Sequence, residues 1–216
     1  MRRGGAEAGS ASLGSKTVSR RASLDTPLFG PAVPDGFQHQ PDFLTASDEG
    51  ALVEHIANIE FSNFEMRGVI ARRRVAFFGL SYDDRIDVPR AIPEFLLPVR
   101  ARVAAWAGVS PEAFVMALIN EYRPGAPIGW HRDAPQYAVI AGISLLSECQ
   151  MRFRPYVAPR ALRSRDRGAR RTTTHEITLI PRSAYLIAGA ARREYEHSIP
   201  AVHALRYSIT FRTLRW

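Results

Sequence analysis

From Val115 onward, β-branched and aromatic residues recur in short bursts separated by turn-forming residues: 115–123, 128–132, 138–146, 150–156, 174–180, 183–189, 195–199 and 205–214. Alternation inside a burst, as in Arg206-Tyr-Ser-Ile-Thr-Phe-Arg212, sends one set of side chains to each face of a strand. Strands so numerous and so short predict a double-sheet jelly roll, or double-stranded β-helix, rather than a parallel sheet. Ahead of Val115 the period lengthens. Leu52, Val53, Ile56 and Ile59 form a helical stripe behind Ser47 as N-cap, with Asp48 and Glu49 in the first turn, so a helix is expected over 48–60. Another is expected over 98–108, opened by Pro98 and stopped by Gly108. Between them, 68–82 reads as one or two strands with a turn at Gly79, and the prolines at 31, 34 and 41 imply an extended lead-in. The expected fold is therefore mainly β (α+β), a jelly roll with flanking N-terminal helices.

Residues 1–26 carry no such pattern. They are Gly-, Ala-, Ser- and Arg-rich, cannot bury enough apolar surface to offset ordering, and are expected to be a flexible basic tail. A mitochondrial-type presequence shares this acid-poor composition. Residues 27–216 are expected to be the folded domain.

Composition changes the picture in one respect. The 216 residues carry a formal charge of +8, almost entirely from arginine, since Lys16 is the only lysine. Arginine's planar fork suits phosphate, which points to a nucleic-acid partner, although a coding bias toward Arg produces the same count. Arg160–Arg171 is an arginine-rich loop that reads as solvated or as a phosphate contact. Cys149 stands alone, which excludes a disulfide framework and a thiolate metal cluster. The apolar run 138–146 is far too short to span a bilayer, so no membrane association is expected. No apolar segment after Arg2-Arg3 resembles a secretory signal. A cytoplasmic monomer fits, with a mitochondrial or nuclear location as the alternative.

The candidate chemistry centres on Asn120–Asp133, NEYRPGAPIGWHRD. His131 and Asp133 are two apart, as are Asn120 and Tyr122, so on a strand each pair shares a face. An HxD pair with one distant His is the ligand count of the 2-His-1-carboxylate site of non-haem Fe(II) oxygenases. His197, in a strand-like run after an apolar strand ending at Gly189, is the preferred third ligand; His203, beside the last strand, competes with it. Arg206 and Arg212 share a face with Ser208 and Thr210, while Tyr207, Ile209 and Phe211 take the other. Two arginines inside a barrel require anions, and a dicarboxylate would supply them.

Together these residues resemble the AlkB family of Fe(II)- and 2-oxoglutarate-dependent dioxygenases. The family pattern N-x-Y-x-x-G, H-x-D, a distal His and R-x-S/N-x-T-F-R is met by Asn120-Glu-Tyr122-Arg-Pro-Gly125, His131-Arg-Asp133, His197 and Arg206-Tyr-Ser208-Ile-Thr210-Phe-Arg212. The likeness covers about 42–214, with a lid and helices over about 42–114 and the jelly-roll core over about 115–214. It implies that His131, Asp133 and His197 hold Fe(II), and that Arg206 with Tyr122 takes the distal carboxylate of 2-oxoglutarate. It also implies that Asn120 and Arg212 steady the end that chelates the metal, Arg212 through Asp133, with Ser208 and Thr210 beside them. O2 would then oxidise the co-substrate to succinate and CO2 and hydroxylate an N-methyl carbon, which leaves as formaldehyde.

The implied activity is oxidative demethylation of N-alkylated bases in DNA or RNA, as in repair of alkylation damage. Alternatives are demethylation or hydroxylation of protein methyl-lysine or methyl-arginine, and non-catalytic nucleic-acid binding on an oxygenase barrel. Arg74…Phe78-Gly79…Tyr82 resembles the family's R…Y-G…Y lid, which would put Tyr82 and Phe78 against the base; Trp130 would line the pocket or belong to the core. One departure stands out. Where some members carry an acid just after the H-x-D aspartate, this chain has Ala134 and Pro135, with Gln136 following. That weakens the case for a cationic base.

Overall fold

Residues 33–66, 68–80, 90–157 and 173–215 are described by a computed structural model and fall within one compact unit, Pro31–Trp216. The basic tail, Tyr82 and the loop Arg160–Arg171 lie outside the described residues.

The strands are β1 (Phe37–Gln40), β2 (Ser62–Met66), β3 (Val69–Gly79), β4 (Phe114–Tyr122), β5 (Ile128–His131), β6 (Tyr137–Leu145), β7 (Cys149–Pro155), β8 (His175–Leu179), β9 (Ala184–Ile187), β10 (Tyr195–Ile199) and β11 (Arg206–Leu214). Helices α1 (Ala46–Ala57) and α2 (Leu97–Ala107) precede β4, and one short helix, α3 (Gly189–Arg193), joins β9 to β10. A seven-stranded sheet runs β1-β9-β6-β11-β4-β3-β2, and a four-stranded sheet runs β5-β10-β7-β8. From β4 on, the chain crosses repeatedly between the two sheets and every paired neighbour is antiparallel, which is the jelly roll expected from the spacing.

Two apolar layers hold this arrangement. Tyr207, Ile209 and Phe211 of β11 meet Leu52 and Ile56 of α1 and Val99 and Val103 of α2 on the outer side of the large sheet. Between the sheets, Met151 and Phe153 of β7 meet Ile140, Ile187 and Ile199. The residues between them on β7, Gln150, Arg152 and Arg154, turn outward, and Arg152 pairs with Glu176 at 2.9 Å. Strand pleating thus separates core from surface residue by residue. Phe211 is fully buried; cutting such a ring to alanine costs about 3–5 kcal/mol.

Local details differ from expectation in instructive ways. Helix α1 is capped by Thr45, not Ser47: Thr45 Oγ1 accepts from the Asp48 amide at 3.0 Å while Asp48 Oδ2 accepts from the Thr45 amide at 3.0 Å. This reciprocal pair satisfies two otherwise open amides, which a cap at Ser47 would not do. Strand β2, SNFEM, has too polar a sequence to stand out; it forms by pairing with β3 at the sheet edge. Helix α2 ends as expected at Gly108, in the left-handed region at φ 68°. Gly79 ends β3 at φ 79°, where a Cβ would fall 2.2 Å from the Val115 carbonyl oxygen. Among the described residues, no helix is long and apolar enough to cross a membrane.

Candidate metal and co-substrate site

The space between the sheets opens beside β5 and β10 as a cavity of about 630 Å³. His131 closes β5 directly across from His197 on β10, and their ring centroids are 4.3 Å apart. Asp133 reaches the same point from the segment just after β5, not from the strand itself. His131 and Asp133 thus come together as expected, although Asp133 lies beyond the end of the strand. One ligand atom from each of His131, Asp133 and His197 lies within 4.8 Å of the others.

Neighbouring groups set the state of each candidate ligand. His131 Nδ1 sits 2.9 Å from the Gly129 carbonyl oxygen, an acceptor, so Nδ1 carries the proton and Nε2 is left with its lone pair. Arg212 donates to Asp133 Oδ1 from Nη2 at 2.8 Å and from Nε at 3.2 Å, leaving Oδ2 directed at His197 Nε2, 3.5 Å away. Burial pushes the Asp133 carboxyl up, but Arg212 and the two imidazoles outweigh it and hold the group well below the usual carboxylate range. Burial, reinforced by His131, pushes His197 down to about 3, so it is neutral and able to ligate. Two imidazoles and one carboxylate, brought together from β5, its following segment and β10, are a ligand set that would suit Fe(II).

The co-substrate end is built differently. Arg206 is fully buried; its Nε donates to Ser144 Oγ at 3.2 Å, while Nη1 and Nη2 have no hydrogen-bond partner. Its guanidinium lies 5.1 Å from the centroid of the Tyr122 ring, directly across from it on β4. Burial pushes the Tyr122 and Tyr185 phenols and the Cys149 thiol up, so these neighbours stay protonated and supply no counter-charge. A buried cation surrounded by neutral acids calls for a carboxylate from outside the chain. The Tyr185 ring closes this end by lying against Gly142, where a Cβ would fall 2.1 Å from it. Asn120, Ser208 and Ser144 are direct cross-strand neighbours on β4, β11 and β6, and Asn120, Ser208, Thr210 and Arg212 all line the cavity. Thr210 Oγ1 accepts from Arg212 Nη1 at 2.9 Å and bonds the Leu118 carbonyl at 3.3 Å.

The expected base-contacting residues fare less well. Arg74 and Phe78 occupy the opposite face of β3 from the cavity. Arg74 pairs with Glu121 through Nη2 at 2.7 Å and Nε at 2.9 Å, and Phe78 is 3% exposed in the helix-side core. Their sequence neighbours Arg73 and Phe77 line the cavity instead. A one-residue offset on a strand exchanges its faces, and the family pattern alone did not specify the pleat. Trp130 lies half-buried under the Arg154 guanidinium, 4.2 Å from its ring centroid, while Ile128 and His131 face the cavity; an irregular register in β5 separates them. Tyr82 lies outside the described residues.

Two arginines beside the site escaped sequence reasoning. Arg73 was hidden in the run Arg72-Arg73-Arg74, where only its parity with Val75 and Phe77 marks it as inward-facing. Arg192, on the unforeseen α3, donates through Nη2 to the carbonyl oxygens of Asp133 (3.1 Å) and Ala134, which holds the ligand-bearing segment in place. Nothing in its sequence context distinguished it from the other arginines.

The model of the 2OG-Fe(II) oxygenase superfamily matches residues 78–212. Among solved structures, OsALKBH1 is similar with TM-score 0.61 and 14% identity over 82% of this chain and 98% of that one. A Pseudomonas putida prolyl-4-hydroxylase gives TM-score 0.57 and 15% identity over 83% of this chain and 93% of that one. The non-haem α-ketoglutarate-dependent epimerase SnoN, from nogalamycin biosynthesis, gives TM-score 0.57 and 17% identity, covering 83% and 78% respectively. At these identities the solved structures establish the jelly-roll fold, and the match over most of the chain establishes kinship. The chain belongs to the 2OG-Fe(II) oxygenase superfamily and is a 2-oxoglutarate-dependent dioxygenase using Fe(II), 2-oxoglutarate and O2.

Proposed function

We propose that this dioxygenase removes alkyl groups from ring nitrogens of nucleobases in DNA or RNA, an alkylation-repair activity. The observation that carries the proposal is the lining of the cavity beside the three ligands. It includes Phe64, Phe77, Tyr137 and Ile128, apolar surface suited to a flat heterocycle. The arginine-dominated charge supports a phosphate-bearing partner. So does the ordered set of AlkB-type motifs, together with the likeness to OsALKBH1. A base held in a duplex would have to be flipped out to enter.

The chain's own residues divide the work. His131, Asp133 and His197 hold Fe(II), Arg212 keeps Asp133 ionised and aimed, and Arg192 fixes the backbone that carries it. Arg206, with Tyr122 and Ser144 beside it, receives the distal carboxylate of 2-oxoglutarate, and Asn120 lines the passage between the two ends. Iron bound there would supply the oxidising chemistry, coupling the conversion of 2-oxoglutarate and O2 to succinate and CO2 with hydroxylation of the N-methyl carbon, which would leave as formaldehyde from the unmethylated base. The protein's contribution is orientation and exclusion of water.

The test is turnover of methylated oligonucleotides, with formaldehyde and succinate measured together. Equal yields of the two support the proposal; decarboxylation of 2-oxoglutarate that no methylated DNA or RNA accelerates would refute it. A second reading is favoured by the prolyl-4-hydroxylase likeness, which is nearly as high as that to OsALKBH1. In that reading the substrate is a protein side chain, methyl-lysine or methyl-arginine among them, and peptides in the same assay separate the two. The non-catalytic alternative falls with the family match.

A further inference from the structure

Arg73 is a cation with no acid assigned to it. It is 9% exposed, lines the cavity from β3, and donates through Nε to Asn120 Oδ1 at 3.2 Å. Its guanidinium lies 4.3 Å from the centroid of Phe64, beside Phe77 on the apolar wall. Among the described residues no carboxylate forms an ion pair with it, whereas its neighbour Arg74 is bonded to both oxygens of Glu121. Burial pushes Arg73 down, offset in part by Tyr122 and Asp133.

The other cations lining the cavity are already engaged. Arg212 is held by Asp133, the one acid among the lining residues, and Arg132 donates to the Arg193 carbonyl oxygen at 3.2 Å and lies over the Tyr156 ring. Arg206, with two unpartnered nitrogens, is fully buried and not among them. Arg73 stands on the far side of Asn120 from β11, because Asn120 pairs with Ser208 on one side and with Val75 of β3 on the other. It therefore lies beside the apolar wall of Phe64 and Phe77, on the side of the cavity away from β11. The positions just after Asp133, Ala134 and Pro135, offer no acid, and Gln136 is neutral. Even with a doubly negative co-substrate in place, the site would hold more positive than negative charge.

We infer that Arg73 sets substrate specificity: the pocket accepts a neutral alkylated base that presents a carbonyl oxygen and rejects one that is cationic at neutral pH. The inference rests on the nucleobase reading. A guanidinium donating to a lactam oxygen makes a directional, charge-assisted bond. Against a methylated base that is itself a cation, the same group is a desolvated like charge. A site built to donate a hydrogen bond discriminates strongly against a ligand that cannot accept it.

The experiment uses the full chain loaded with Fe(II) on oligonucleotides carrying one modified base each. The neutral set is 3-methylthymine, 3-methyluracil and 1-methylguanine; the cationic set is 1-methyladenine and 3-methylcytosine. Formaldehyde release gives kcat/KM for each, and the expected ratio of the best neutral to the best cationic base is about tenfold or more. Arg73→Gln should bring that ratio to within about threefold of unity, and a poorly folded variant cannot mimic this because it lowers both values alike. The inference is overturned if wild type prefers a cationic base. It is equally overturned if Arg73→Gln leaves the ratio intact and instead weakens 2-oxoglutarate binding, read from the absorbance of the anaerobic iron complex. Failure of the nucleobase reading looks different: no modified base of either set yields formaldehyde while 2-oxoglutarate is still consumed, and the inference falls with it.

Discussion

Arg206 and Arg212 stand six residues apart on one face of one strand, and the chain treats them in opposite ways. Arg212 is satisfied within the protein by two bonds to Asp133 and one to Thr210. Arg206 is more deeply buried, yet two of its nitrogens bond to nothing. The first end of the site is complete without a ligand, because a metal needs its carboxylate ionised and aimed beforehand. The other end carries an unsatisfied charge that binding would relieve. The difference teaches that a buried arginine is read by its partners and not by its burial.

The largest expected effect lies at the metal end. His131→Ala should abolish formaldehyde release, a loss of more than about 10³-fold, with circular dichroism and melting behaviour preserved, since one of three ligands is gone while the ring is only partly buried. Measured iron content should fall with it; a variant that still binds iron and turns over would break the assignment.

Next come the two arginines themselves, replaced by an apolar chain of similar length. Arg206→Met should raise the 2-oxoglutarate requirement by about 10²-fold, since charge-assisted hydrogen bonds contribute about 1.5–3 kcal/mol each. It should leave the ligand-free protein as stable as wild type or more so, because an uncompensated buried charge has been removed. Arg212→Met should do the reverse for stability, lowering it by about 3–5 kcal/mol by stranding Asp133. Urea unfolding of both variants decides the matter; equal destabilisation would erase the contrast between the two ends. A finer measurement is the ligand-induced gain in stability. Saturating 2-oxoglutarate with Fe(II) should stabilise wild type by about 2.7 kcal/mol at 100-fold excess over Kd, and Arg206→Met should show almost none at the same concentration.

The smallest effect is expected on the outer face of β3. Arg74→Ala should lower stability by about 1 kcal/mol or less and leave kcat/KM within about threefold, because Glu121 keeps Arg123 at 2.9 Å and neither arginine touches the cavity. Arg74 and Arg123 hold the Glu121 carboxyl below its ordinary value of 4.5. The stabilisation is thus present above pH 4.5 and lost as pH falls through the lowered value, so the gap between variant and wild type should close on acidification. A large activity loss in Arg74→Ala would return that residue to the base-binding site.

Legibility followed the strength of local patterning. The eight segments from Val115 to Leu214 were readable because each alternates against turn residues, and the structure places strands there within two residues at each end. Strand β2 and helix α3 were not, since SNFEM and GAARR have no apolar period and owe their form to neighbours. Among site residues, His131, Asp133, His197, Asn120, Tyr122, Ser208, Thr210 and Arg212 sat in ordered motifs and line one cavity, with Arg206 against Tyr122. Arg74 and Phe78 were misplaced by one step of the pleat, and Trp130 by the irregular register of β5. Arg192 was invisible because its role is to bond main-chain carbonyls, which any arginine can do.

The amino-acid sequence by itself determined the double-sheet architecture, the two faces of β11 and the pairing of His131 with Asp133 as candidate ligands, with His197 preferred over His203, because periodicity and residue chemistry act over short range. Which arginine has a partner, which side of β3 meets the cavity and which guanidinium waits for a ligand were decided only when strands 47 to 79 residues apart in sequence came together. Burial and charge compensation are properties of surroundings, and the surroundings exist only in the folded chain.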